Sequence, residues 1–123
     1  MEKIDVLLIS SPASSPNYHM KEKSGMPPLG LGYLATYLSQ EKFFVRIIDL
    51  AIPSKNIITV LSALRDNKPQ VVGFSASTET YQTAVRIANE VKKVNPNCDI
   101  VFGGYHTSFE YESALREDVI IMV

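Results

Sequence analysis

The sequence predicts an α/β domain: a doubly wound, parallel, five-stranded sheet with helices on both faces. Three observations predict it. Short apolar runs alternate with segments of helical periodicity along all 123 residues, the pattern that builds parallel sheets by helical crossovers. The strand-like runs are almost continuously apolar, as strands covered on both faces are. No repeat, low-complexity segment or internal linker interrupts the alternation, so residues 1–123 read as one domain.

The elements follow in order. Ile4 to Ile9 (IDVLLI) reads as a buried strand. A loop rich in Ser, Pro, Gly and Asn runs from Ser10 to Met26. It exceeds the roughly 2–6 residues usual between a strand and a helix, which marks a functional or mobile segment. The first helix spans Leu29 to Gln40, and VRIIDL, Val45 to Leu50, is the second strand. Ile57 to Asp66 forms a helix with Ile57, Leu61 and Leu64 on one stripe and Ser54 or Asn56 as its cap. VVGFS, Val71 to Ser75, is the third strand. Glu79 to Val94 is the clearest helix: Tyr81, Ala84, Val85, Ala88, Val91 and Val94 share one face, and Asn95-Pro96-Asn97 stops it. Ile100 to Phe102 is the fourth strand, Glu110 to Arg116 a short helix, and Val119 to Val123 the fifth strand.

Composition narrows the function. Hydrophobic residues make up 46% and charged residues 20% of the chain, the balance of an ordinary globular protein. Twelve basic against thirteen acidic residues leave a net charge of −1. No basic run exceeds Lys92-Lys93, which argues against a nucleic-acid partner. No apolar run reaches the ~18 residues of a membrane span, and the start has no signal-peptide core. A single cysteine, Cys98, excludes an internal disulfide and any multi-cysteine cluster, so the expected compartment is the cytoplasm. The chain stops inside an apolar strand, Ile120-Ile121-Met122-Val123. The expectation is therefore an N-terminal part of a longer protein.

In open parallel sheets, ligands bind outside the carboxyl ends of the strands. That rule selects Ser10-Ser11-Pro12, Asp49-Leu50-Ala51, Ser75-Ala76-Ser77-Thr78 and Gly103-Gly104-Tyr105-His106. Ser75, Ser77 and Thr78 set hydroxyls before the third helix, where they either cap it or bond a ligand. Gly103-Gly104 serves a tight turn or the close approach of another group, and a pair favours close approach. His106, beside that pair, is the better site candidate of the two histidines; His19 reads as a solvated loop residue. Asp49 reads as a structural cap, Cys98 as a partly buried thiol, and Tyr18, Tyr33 and Tyr37 as packing residues. There is no G-x-G-x-x-G after the first strand and no P-loop. No catalytic residue and no metal ligand is assigned. GMPPLGLGYLATYL, residues 25–38, poses a question. Pro27-Pro28 stiffen the loop, and Gly30 and Gly32 open the helix. Either the helix packs very tightly or something large lies against its first turn.

PPLGLGYLATYL after a long first loop, then VRIIDL, VVGFSASTETY and IVFGGYHTS, come in this order and at these intervals. Together they resemble the N-terminal cobalamin (B12)-binding domain of B12-binding radical SAM proteins, over nearly the whole chain. The resemblance implies a flavodoxin-like, Rossmann-like domain with cobalamin at the carboxyl edge of its sheet and the cofactor's nucleotide tail beside the sheet. It implies that Ser75, Ser77 and Thr78 bond the tail, that Gly103 and Gly104 let it pass close to the backbone with His106 alongside, and that Pro28, Leu29 and Gly30 lie near the corrin. It also implies a C-terminal radical SAM domain, absent from this chain, with S-adenosylmethionine and a 4Fe-4S cluster bound there. The parent would be a methyltransferase or a ring-remodelling enzyme, and this domain would not be catalytic alone. One departure stands out. The D-x-H-x-x-G motif whose histidine ligates cobalt in the methionine-synthase type is missing, because His19 has Asn17 before it and Glu22 after it.

The alternative is a flavodoxin-like or regulatory Rossmann module that binds FMN or a protein partner. Ser10, Ser11, Ser14 and Ser15 imitate a phosphate loop. A receiver domain is disfavoured because the first and third strands end in Ser10 and Ser75 rather than in carboxylates. A third reading keeps the fold as an interaction domain whose cofactor site has decayed.

Overall fold

Register decides which residues share a face, and here it is uniform. A computed structural model describes residues 3–10, 29–50, 57–75 and 80–103. They contain β1 (Val6–Ser10), α1 (Leu29–Gln40), β2 (Val45–Asp49), α2 (Ile57–Asn67), β3 (Val71–Ser75), α3 (Tyr81–Val94) and β4 (Asp99–Gly103). The four described strands are parallel in the order β2-β1-β3-β4, the start of a flavodoxin-like order. Each strand has five residues, and each pairs end to end with its neighbour. The expected helix at 110–116, the expected fifth strand and the Ser54 or Asn56 cap lie outside the described residues.

Successive side chains in a strand point to opposite faces. On one face stand Leu7, Ile9, Ile48, Val72, Phe74, Ile100 and Phe102, all buried against α2 and α3. Phe102 is fully enclosed, its ring 5.1 Å from Phe74 and edge-on to Tyr81 at 5.9 Å. The helix α3 turns in Tyr81, Ala84, Val85, Ile87, Ala88 and Val91. Val94, expected on that face, is its last residue and is 40% exposed. The buried stripe of α2 is Val60, Ala63 and Leu64, with Leu61 partly buried, whereas Ile57 is exposed. Leu64 and Leu61 of the expected stripe thus turn inward, and only Ile57, at the first position of the helix, does not.

On the other face α1 packs over β2 and β1. Its C-terminus is closed by a Schellman motif: the Phe43 N–H donates to the Leu38 carbonyl at 3.0 Å and the Lys42 N–H to Ser39 at 3.0 Å. Lys42 carries the left-handed turn that this requires, with φ 71°. Tyr33 and Tyr37, expected to pack, are 77% and 60% exposed. They are four residues apart on the helix surface away from the sheet, because Leu31, Leu34 and Leu38 take the inner side.

Cys98 is fully buried just before β4, rather than partly as expected. Burial pushes its thiol up from the ordinary 9.0, opposed by the Lys92 ammonium and assisted by the Asp99 carboxylate. Lys92 Nζ also donates to the Cys98 carbonyl at 2.6 Å, closing the turn. The unfolded chain then loses the thiol proton before the native one does, so this group's contribution holds below about pH 9 and falls as pH rises past the unfolded value.

Two outcomes follow for stability. Phe102→Ala should cost about 3–5 kcal/mol in urea unfolding; a loss below about 1 kcal/mol would show that this face is not the main core. Lys42→Gly should stabilise by about 1 kcal/mol, because it removes a side chain from a left-handed position. Unchanged or earlier melting would contradict that account of the turn.

Candidate functional site

The second face of the sheet is graded from polar to apolar. Across its carboxyl end Asp49, Ser10, Ser75 and Gly103 fall in one row, each the register partner of the next. Two residues below them lies the row Ile47, Leu8, Gly73 and Val101, and below that Val45, Val6, Val71 and Asp99. Parallel strands in full register make these rows without further instruction.

Between this face and α1 is a cavity of about 620 Å³, within the roughly 300–1,000 Å³ of small-molecule sites. Its floor is Val6, Leu8, Val71, Gly73 and Val101, its wall Leu31, Leu34, Leu38 and Phe43, and its mouth Ser75 and Gly103. Ser75 has the only polar side chain among the described lining residues. The main chain of β1 and β3 is committed to ladders on both sides, so the part of the floor built by Val6, Leu8, Val71 and Gly73 offers few free hydrogen-bonding groups. The described lining is thus apolar, with a hydroxyl and bare backbone at its entrance. It holds no set of groups for acid, base or nucleophilic chemistry. Among the described residues no group of three or more His, Cys, Asp or Glu comes together to hold a metal.

Gly73 sets the shape of the floor. A Cβ there would stand 2.9 Å from Leu8 Cδ2, so a side chain would force Leu8 to shift. Gly103 differs: a Cβ there meets nothing within 4 Å, and its backbone is not left-handed. Neither crowding nor a left-handed backbone among the described residues calls for glycine at 103. At Gly32 a Cβ likewise meets nothing within 4 Å among the described residues, so none of them packs tightly against that turn of α1.

The structure thus brings Ser75 and Gly103 together on neighbouring strands, at the ends of β3 and β4. Leu29 and Gly30 open α1. Pro28, Ser77, Thr78, Gly104, His106 and His19 lie outside the described residues. Reasoning from strand ends missed the floor, above all Gly73 and Leu8. The signal was present as an isolated glycine inside an apolar strand, which marks close approach.

These features define a Rossmann-like α/β domain with an apolar cavity along one face of its sheet, opening at the carboxyl edge. Residues 21–123 match the B12 binding domain, and the chain belongs to that family. It is 32% identical over 117 residues to an uncharacterized methyltransferase of Pyrococcus horikoshii, covering 95% of this chain and 25% of the relative. It is 34% identical over 106 residues to the anaerobic magnesium-protoporphyrin IX monomethyl ester cyclase of Rubrivivax gelatinosus, covering 83% and 19%. The chain therefore spans a quarter or less of these relatives. Its fold matches the cobalamin-dependent S-adenosylmethionine radical enzyme OxsB with aqua-cobalamin bound, at a TM-score of 0.71 and 23% identity over 94% of this chain and 16% of that one. The same enzyme with S-adenosylmethionine also bound gives 0.74 and 22%, over 98% and 17%.

Because nothing crowds position 103, Gly103→Ala should leave the free energy of unfolding within about 0.5 kcal/mol of wild type. A loss of about 2 kcal/mol or more in urea titration would make this glycine structural instead.

Proposed function

We propose that this chain is the cobalamin-holding module of a cobalamin-dependent radical SAM enzyme. The observation that carries the reading is the apolar slot beneath α1, open at Ser75 and Gly103, in a chain of the B12-binding family. Cobalamin has two unlike parts, a broad corrin and a narrow nucleotide tail ending in a benzimidazole. The slot suits the tail: apolar walls for the base, and a hydroxyl and bare backbone for ribose and phosphate. Pro28, together with Leu29 and Gly30 at the start of α1, would hold the broader corrin. Ser75, Ser77 and Thr78 bond the tail, while Gly103 and Gly104 leave its path clear and His106 flanks it. Bound cobalamin supplies a cobalt centre able to carry an alkyl group; the residues of this chain bind, orient and shield it.

The reaction belongs to the rest of the polypeptide, where a radical SAM domain holds S-adenosylmethionine and a 4Fe-4S cluster. The methyltransferase and cyclase relatives mark the two reaction classes in view. No described helix is long and apolar enough to cross a membrane, and the reading places the protein in the cytoplasm with no nucleic-acid partner. With no D-x-H-x-x-G motif, this chain would offer cobalt no histidine of the methionine-synthase type.

Equilibrium dialysis of the full polypeptide tests the placement of the tail. Cobalamin should bind at least about tenfold more tightly than cobinamide, which lacks the nucleotide. Gly103→Val should remove most of that advantage while melting like wild type. Equal binding of the two by wild type would contradict the reading. For the lower face of cobalt, the electron paramagnetic resonance of the Co(II) form should show no nitrogen splitting from the protein; splitting that disappears in His19→Ala would establish a histidine ligand.

A further inference from the structure

We infer that the domain selects among cobamides by the base that ends the nucleotide tail, accepting benzimidazoles and rejecting purines. The inference rests on the tail entering the slot as proposed above, and the polarity of the slot carries it further. At the mouth stand the Ser75 hydroxyl and the Gly103 backbone; the other described lining residues carry no polar side chain, with Leu8, Gly73 and Val101 in the floor faced by the leucines of α1. The tail is graded too, with its phosphate and ribose at one end and its base at the other. Matching the gradients puts the base against the floor.

There the base would meet no polar side chain of the described floor, and the peptide groups of β1 and β3 are used in their ladders. Dimethylbenzimidazole fits these conditions: it is flat, carries two methyl groups, and leaves at most one ring nitrogen unbonded. Adenine brings an exocyclic amino group and several ring nitrogens, all well hydrated in water and all without side-chain partners in the described floor. A buried polar group without a partner is strongly disfavoured, and discrimination of this kind exceeds that from shape alone. The pair Gly73 and Leu8 sets how far a base can enter, because any side chain at 73 drives Leu8 out of its present place.

The test compares dissociation constants of the full polypeptide for cobalamin, its adenine-bearing analogue and cobinamide, read by equilibrium dialysis without any activity assay. Cobalamin should bind at least about tenfold more tightly than the adenine analogue. Val101→Thr, which keeps the β-branched shape but places a hydroxyl in the floor, should reduce that ratio several-fold. Gly73→Ala should weaken both tail-bearing compounds and leave cobinamide unchanged. Equal binding of cobalamin and the adenine analogue by wild type overturns the selectivity, and a ratio unchanged in Val101→Thr overturns its assignment to the slot. Cobalamin binding no tighter than cobinamide overturns the tail placement itself, an outcome distinct from a loss of base preference.

Discussion

Full-register parallel pairing of β1 with β2 and β3, and of β3 with β4, is the constraint on which the rest depends. Because every strand starts and stops level with its neighbours, alternate residues fall into complete rows. One set, including Leu7, Ile9, Val72, Phe74, Ile100 and Phe102, becomes a closed core under α2 and α3. The other set meets α1, leaving a cavity of about 620 Å³. A slip of one residue would exchange the two faces. It would put Gly73 into the core, where a missing side chain leaves a void, and Phe74 into the slot, where an aromatic ring would fill it.

The two faces divide stability from binding. Burial of aromatic and branched side chains on the core face gives the domain its cohesion. The slot face is left with part-buried Val6, Val71 and Val101, which a ligand would cover. Gly73 belongs to both accounts. A glycine in mid-strand weakens a sheet, yet Leu8 occupies the space beside it with a methyl group 2.9 Å from where a Cβ would stand. A small loss of strand preference thus gives the floor its depth. The polar lip follows from the same register, since Asp49, Ser10, Ser75 and Gly103 are simply the last residues of four level strands.

Much of this was legible in the sequence. The helix Leu29–Gln40 and the strand Val71–Ser75 have the bounds that the residue pattern predicts, and the other described elements differ by two residues or fewer at each end. Prolines, glycines and polar residues mark where apolar runs stop. Ser75 and Gly103 were legible too, because the ends of parallel strands are where ligands bind. What could not be read was orientation. In VLLIS, Leu7 and Leu8 are chemically identical, and only helices packed from opposite sides make one a core residue and the other a slot residue. The same ambiguity covers Ile57 of α2 and Tyr33 and Tyr37 of α1, all of them exposed. Each depends on the surface its helix meets, a long-range fact that local periodicity does not contain.

The central claim is that the face carrying Leu8, Gly73 and Val101 receives the nucleotide tail while the face carrying Leu7, Ile9 and Ile100 stays closed. Methyl NMR of the protein labelled at Leu, Val and Ile tests it most directly, with cobalamin and tail-less cobinamide titrated in parallel. Cobalamin should shift the methyl signals of Leu8, Leu31 and Val101 well beyond any change caused by cobinamide, and leave Leu7, Ile9 and Ile100 near their free positions. Shifts that are the same for both compounds, or that fall on the Leu7 face, would contradict the division of the sheet into a core side and a cofactor side.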